Sequence, residues 1–262
     1  MTAVSSSETR FPATPSLRVD GMRALVTGAS KGLGRACAIA LAEAGAQVTL
    51  AARGLAEMEA TVAGLAKQGL KAKAVALDVT DRAAARRVVA ENGPFEILVN
   101  NAGTNLREPF LEVSDASLDA LISLNITAAF VVAQAVARGM VDAGLSGSII
   151  NMSSVNGHIA GANRSVYTAT KHAIEGMTKG MAYELGPKGI RVNNICPCFF
   201  ETPLTAGFLA NQGVMDAALK SLPIGRIGQV EDLMGAVVFL ASPAAAMITG
   251  ASLLVDGGLL TH

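Results

Sequence analysis

A chain of 262 residues that is 51% hydrophobic and 16% charged can build a sizeable core, which excludes an extended disordered protein. Formal net charge is zero and no basic run or aromatic-basic interleaving occurs, so neither nucleic acid nor an acidic membrane surface is an expected partner. The cysteines Cys37, Cys196 and Cys198 form no disulfide framework, and Cys196-Pro197-Cys198 lacks a second pair or a histidine cluster to complete a zinc site; reduced thiols in a cytoplasmic protein without a metal are expected.

Residues 1–18 are rich in Ser, Thr and Pro and lack an apolar stretch, which predicts a flexible tail rather than a signal peptide. From there residues 19–262 read as one domain. Strand-like apolar runs cover 23–27, 47–51, 72–77, 97–100, 148–152, 191–195 and 252–255. Ala/Leu-rich helical stretches lie between them at 34–44, 55–68, 83–91, 118–143, 167–185 and 230–241. The strand runs are nearly continuous rather than alternating, as in a sheet covered on both faces. Alternating β and α elements predict an α/β, doubly wound parallel sheet of the Rossmann kind. Residues 233–255 carry no charge, but Ser242-Pro243 and Thr249-Gly250 break them into a helix, a turn and a strand.

The first predicted strand runs into Thr27-Gly28-Ala29-Ser30-Lys31-Gly32-Leu33-Gly34, and a helix follows. Glycines let a backbone turn sharply and approach a pyrophosphate, which then sits at a helix N-terminus. A glycine cluster alone is a weak signal; the strand before it and the helix after it give it weight. The second strand ends at Ala51-Ala52-Arg53, where an acidic residue would accept from a ribose 2′-hydroxyl. Arg53 and Lys31 suit a phosphate there instead, so NADP(H) is expected over NAD(H). Asp78-Val79 and Asn100-Asn101-Ala102-Gly103 end the next two strands, where strand C-termini line a cofactor crevice; Asp78 can accept from an adenine amine.

Tyr167 and Lys171 stand four residues apart, with Ser154 thirteen positions before the tyrosine. On a helix, residues i and i+4 share a face, so the phenol and the ammonium can look into one site. A tyrosine titrates near ~10, and a close cation lowers that by roughly 1–3 units. A serine hydroxyl beside it can hold a substrate oxygen. The set is a proton-transfer site for a carbonyl or an alcohol.

Together these landmarks resemble the short-chain dehydrogenase/reductase family in its single-domain form, over about residues 17–258, with Ser154, Tyr167, Lys171 and a Pro197-centred segment in the family's order. The resemblance implies Tyr167 as acid/base, Lys171 lowering its pKa and bonding the nicotinamide ribose, and Ser154 orienting the carbonyl; Ser153 is its neighbour, but the spacing favours Ser154. It implies Asn125 as the anchor of a proton relay. It also implies a nicotinamide-carboxamide contact from Thr202 and the backbone near Phe200. The family usually carries Gly where this chain has Cys198, which narrows backbone freedom and raises the question of thiol sensitivity.

Arg107, in Leu106-Arg107-Glu108-Pro109, resembles the arginine of gluconate-type sugar-acid dehydrogenases. Arg164 is a second guanidinium near the site, and an Arg fork suits a carboxylate. His158 is a further candidate for a polar substrate. A keto-sugar acid or similar polar ketone is therefore the expected substrate. A 3-oxoacyl thioester reductase is the alternative, weakened because Asp142-Ala143-Gly144-Leu145-Ser146-Gly147 offers no basic residue for an acidic carrier protein. A non-catalytic NADP(H) sensor is the remaining reading, and the intact Ser-Tyr-Lys set speaks against it. Apolar residues on more than one face of the two long helices predict a homotetramer, and residues 199–221 a substrate lid.

Overall fold

The structure is a computed structural model, described here for residues 11–261; of the predicted tail, residues 1–10 lie outside the described part and residues 11–18 are exposed coil. The strands are β1 (Arg23–Thr27), β2 (Gln47–Ala52), β3 (Ala72–Ala76), β4 (Ile97–Asn100), β5 (Gly147–Met152), β6 (Ile190–Pro197) and β7 (Ser252–Val255). The helices are α1 (Gly32–Glu43), α2 (Leu55–Ala66), α3 (Arg82–Asn92), α4 (Asp115–Ile122), α5 (Ala129–Asp142), α6 (Ser165–Leu185), α7 (Ala206–Leu209), α8 (Gln212–Ser221) and α9 (Glu231–Ala241).

Among the described residues the strands form one sheet of order β3-β2-β1-β4-β5-β6-β7, and every pairing is parallel. Successive strand side chains point to opposite faces. In β1, Ala24 and Val26 enter one core with α1 and α9, while Leu25 enters the other with α3 and α5. Ile97 and Val99 of β4 divide from Leu98 in the same way. Both faces are thus covered, which explains why the strand runs lack polar alternation. Each fully buried Leu or Ile contributes roughly 1.5–3 kcal/mol, and Leu25, Ile97, Leu98, Ile149 and Ile190 are all of this kind.

The order reverses between β1 and β4. Chains leaving those strand ends diverge in opposite directions and leave a crevice at the C-terminal edge. The glycine loop follows β1 and the Asn-Asn-Ala-Gly turn follows β4, so both border it. One long helix was expected over 118–143, and α4 and α5 do run on as one helix, with a π-helical turn, Ser123–Ala128, between them. Residues 199–221 hold α7 and α8, elements not read from the sequence.

Candidate active site

The glycine loop is built for close approach. A Cβ at Gly34 would lie 2.3 Å from the Gly28 carbonyl oxygen and 2.4 Å from Asn101 Nδ2, so no side chain fits. The Asn101 and Ala102 N–H groups donate to Thr27 Oγ1 at 3.0 and 3.1 Å. Asn101 Nδ2 donates to the Thr27 carbonyl at 3.0 Å, so this side chain braces the loop rather than reaching for a ribose. Lys31 makes no side-chain cap on α1 among the described residues, whereas Asp81 caps α3 by accepting from the Ala83 and Ala84 N–H groups. The first turn of α1 therefore presents unpaired N–H donors, the arrangement that binds anions.

A cleft of about 650 Å³ opens from this loop. It is lined by Gly28, Ser30, Lys31, Gly32, Leu33, Gly34, Arg53, Asp78, Val79, Asn101, Ala102 and Gly103 at one end, and by Pro197, Phe200 and Thr202 across from them. Lys31 and Arg53 are exposed, free to meet a phosphate. Thr80 donates to Asp78 Oδ1 from its hydroxyl at 2.7 Å and its N–H at 2.9 Å, and these bonds hold the Asp78 carboxyl below its ordinary value. Glu57 lines the same end, a carboxylate that sequence reading passed over.

Ser154, Tyr167 and Lys171 line the other end of the cleft. Ser154 leaves β5 in extended conformation and Tyr167 and Lys171 share one face of α6. Lys171 Nζ donates to the Met152 carbonyl at 2.7 Å and lies 5.6 Å from the Tyr167 ring centre. Burial pushes the Tyr167 phenol up, and the groups that oppose this are the Ser154 hydroxyl and Arg164. Burial also brings Lys171 down to about 8, against the raising influence of Cys196 and Glu175.

Asn125 does not line the cleft. It is buried in the π-helical turn, where Oδ1 accepts from the Thr104 N–H at 2.9 Å. Its Nδ2 donates to the Thr104 carbonyl at 2.9 Å and to Thr170 Oγ1 at 3.1 Å. The side chain clamps the turn after β4 to α6. A π turn inserts one extra residue and rotates the face that follows, which is how an asparagine in an apolar helix comes to point inward.

Arg107 and Arg164 both line the cleft and meet at Phe208 of α7, their guanidinium carbons 3.4 and 5.5 Å from its ring centre. Phe199 stacks on Phe208 with ring centres 6.2 Å apart. Arg164 also donates to Asn156 Oδ1 at 3.2 Å. Cys198 lines the cleft too, but burial pushes its thiol up to about 11, so it is not an activated thiolate.

His158, expected near the substrate, is turned away from the cleft. Its Nε2 lies 3.5 Å from Cys196 Sγ and 3.6 Å from Glu175 Oε1. Glu175 was missed because a charged residue in a helical pattern reads as solvent-facing. It is only 7% exposed. Ser153 and Ser252 donate to it, Asn194 Nδ2 donates at 2.7 Å, and the Cys196 thiol at 3.4 Å. Burial alone would raise the Glu175 carboxyl, but these donors together hold it below its ordinary value.

Comparison with known proteins agrees with this layout. Residues 28–260 match the family model described as "Enoyl-(Acyl carrier protein) reductase". The chain is 43% identical to gluconate 5-dehydrogenase of Gluconobacter oxydans (strain 621H), covering 92% of this chain and 95% of that one. It is 40% identical to D-erythrulose reductase of Gallus gallus, over 94% of this chain and 98% of the relative. The crystal structure of gluconate 5-dehydrogenase from Burkholderia cenocepacia J2315 in complex with NADP and tartrate superimposes with a TM-score of 0.89 at 38% identity, covering 94% of this chain and 98% of that one.

Proposed function

The chain belongs to the short-chain dehydrogenase/reductase family, and on that premise we propose an NADP(H)-dependent oxidoreductase that interconverts a polar ketone and its secondary alcohol, residues 19–262 acting as one domain. The observation that carries this reading is one cleft joining two ends. At one end lie the uncapped start of α1 and the exposed Lys31 and Arg53; at the other lie Ser154, Tyr167 and Lys171. The residues present fit a dinucleotide bearing a 2′-phosphate: unpaired N–H donors for the pyrophosphate, and two cations where a ribose carboxylate partner would otherwise stand. Bound NADPH supplies the hydride.

The chain's own residues do the rest. Ser154 Oγ and Tyr167 Oη hold the carbonyl oxygen, and Tyr167 gives it the proton as charge develops there. In the reverse direction the tyrosinate takes the proton from the alcohol. Lys171, anchored on the Met152 carbonyl, keeps a positive charge near the Tyr167 ring. Arg107 and Arg164 bind the polar end of the substrate, and Phe208 holds both guanidinium groups in register. Gluconate and erythrulose, the compounds in the relatives' names, support a keto-sugar or keto-sugar acid. A 3-oxoacyl thioester is the lesser reading, because two arginines face the cleft and residues 142–147 offer a carrier protein no cation.

The test is a substrate panel with NADPH, spanning keto-sugar acids, neutral ketoses and 3-oxoacyl thioesters, run with the wild type and Tyr167→Phe. Preference for an acid-bearing ketone and loss of turnover by about 10²–10⁴ with retained NADPH binding are expected. Undiminished turnover in the variant overturns the mechanism.

The same chain forms a homotetramer in a reducing, cytoplasmic setting. Cys37, Cys196 and Cys198 are free thiols. Phe110 and Leu111, in the turn before α4, with Ile122 of α4, Phe130 of α5 and Tyr183 of α6, leave apolar surface exposed, which suits burial against further copies. A monomeric mass in solution at micromolar concentration refutes the assembly.

A further inference from the structure

Behind the substrate end of the cleft, three side chains from three different elements converge. His158 comes from the turn after β5, Glu175 from α6 and Cys196 from β6. Their ligand atoms define a nearly equilateral triangle: Cys196 Sγ to His158 Nε2 is 3.5 Å, Cys196 Sγ to Glu175 Oε1 is 3.4 Å, and His158 Nε2 to Glu175 Oε1 is 3.6 Å. A tetrahedral zinc ion with ordinary bond lengths places sulfur about 3.6 Å from nitrogen or oxygen, and nitrogen about 3.4 Å from oxygen. The observed triangle is one face of that tetrahedron. We propose that His158, Glu175 and Cys196 form a Zn²⁺ site with three protein ligands and a water in the fourth position.

The surroundings are those of a metal ligand set. Glu175 is oriented by bonds from Ser153, Ser252 and Asn194, which fix its carboxylate in the way outer partners fix metal ligands. Asn194 is itself held: Asn100 donates to Asn151 at 3.2 Å, Asn151 to Thr178 at 2.8 Å, and Thr178 to Asn194 Oδ1 at 2.6 Å. The triangle therefore stands on a bonded chain that crosses the sheet. Gly157 lets the His158 turn close on it: a Cβ there would come within 2.8 Å of Ser153 Oγ and 3.0 Å of Glu175 Oε1. The His158 side chain is 34% exposed, which gives an ion and its water a way in.

Charge and ligand type select the ion. Binding releases the Cys196 thiol proton to solvent and so ends the hydrogen bond that the thiol donates to Glu175; the thiolate and the carboxylate then neutralise a divalent cation, with His158 contributing an imidazole nitrogen. One sulfur, one nitrogen and one oxygen in tetrahedral disposition suit Zn²⁺ and exclude the oxygen-seeking Mg²⁺ and Ca²⁺.

The experiment is titration of Co²⁺ into untagged, metal-stripped protein, followed by displacement with Zn²⁺. No cofactor or substrate is present, so the outcome is independent of the proposed reaction. One equivalent of Co²⁺ is expected to give intense visible bands of a tetrahedral ion and a near-ultraviolet thiolate band, bleached by one equivalent of Zn²⁺. Cys196→Ser removes the thiolate band, and His158→Ala, at an exposed turn that folding tolerates, weakens affinity by at least about tenfold. Cys198→Ala leaves the spectrum intact. Absence of a thiolate band at one equivalent, its survival at unchanged affinity in His158→Ala, or its loss in Cys198→Ala overturns the site and leaves a hydrogen-bonded cluster only.

Discussion

Replacing Lys171 with Met is predicted to abolish turnover and yet stabilise the cofactor-free fold. Lys171 is 7% exposed, and burial brings its ammonium from an ordinary 10.5 to about 8. At 1.36 kcal/mol per unit, that difference costs about 3 kcal/mol whenever the buried group is charged. Methionine fills a similar volume without a charge. It also forfeits the 2.7 Å bond from the ammonium to the Met152 carbonyl, a loss of roughly 1.5–3 kcal/mol. The net gain is at most about 1.5 kcal/mol, or a midpoint higher by up to about 6 °C for a chain of this size. The pH dependence has a definite sign. Below about 8 the lysine is charged in both folded and unfolded chains, so the burial cost is fully present. Between about 8 and 10.5 the folded protein has shed the proton while the unfolded chain keeps it, and the cost fades. The wild type should therefore gain on the variant as pH rises, and the gap should turn in its favour near the upper end, where only the lost bond remains. Thermal or urea denaturation of both proteins at neutral and at alkaline pH, with kcat measured alongside, tests this. A variant less stable at neutral pH, or a gap that does not move with pH, would refute the reasoning. Catalytic need would then not be what keeps a charge in this core.

Arg53→Ala should lower kcat/KM for NADPH by about 10–150-fold, the equivalent of a charge-assisted bond of ~1.5–3 kcal/mol, and leave NADH nearly unaffected; an equal loss with both cofactors would show that Arg53 does not read the 2′-phosphate. Asn125→Ala removes three side-chain bonds at 2.9, 2.9 and 3.1 Å, the last of them buried. The abandoned partners should cost about 2–4 kcal/mol and lower the midpoint by about 5–15 °C, with activity falling in parallel, so an unchanged midpoint in differential scanning fluorimetry removes the clamp.

Much of the frame could be read in the residues because parallel strands buried on both faces have a local signature. The runs at 23–27, 97–100 and 252–255 match β1, β4 and β7 at both ends, and the glycine loop falls where β1 hands over to α1. Helix ends were less legible: α6 begins at Ser165, two residues before the tyrosine, because Arg164 stands outside the helix with no capping bond to announce the start. The π turn at Asn125 left no trace in sequence, since the apolar pattern of 118–143 is continuous and the extra residue is a matter of backbone hydrogen bonding. Sequence placed the asparagine near the chemistry by resemblance; only the fold shows that its amide is spent on Thr104 and Thr170.

The deepest gap concerns groups whose meaning depends on partners far along the chain. Glu175 looks like the polar face of an amphipathic helix until Ser153, just past β5, Asn194 of β6 and Ser252 of β7 close around it. His158 looks like a substrate contact because it follows Ser154, yet the turn at Gly157 sends it back toward the sheet. The arginines show the opposite case. Arg107 and Arg164 lie on separate loops, and nothing local says that they meet; Phe208 of α7, against both, is what makes them a pair. The proton-transfer end of the cleft is carried by residues close in sequence, where spacing is informative. The arginine end of the cleft is assembled across loops around an aromatic ring, and this is why the Ser-Tyr-Lys set reads more easily from sequence than the pairing of Arg107 with Arg164 does.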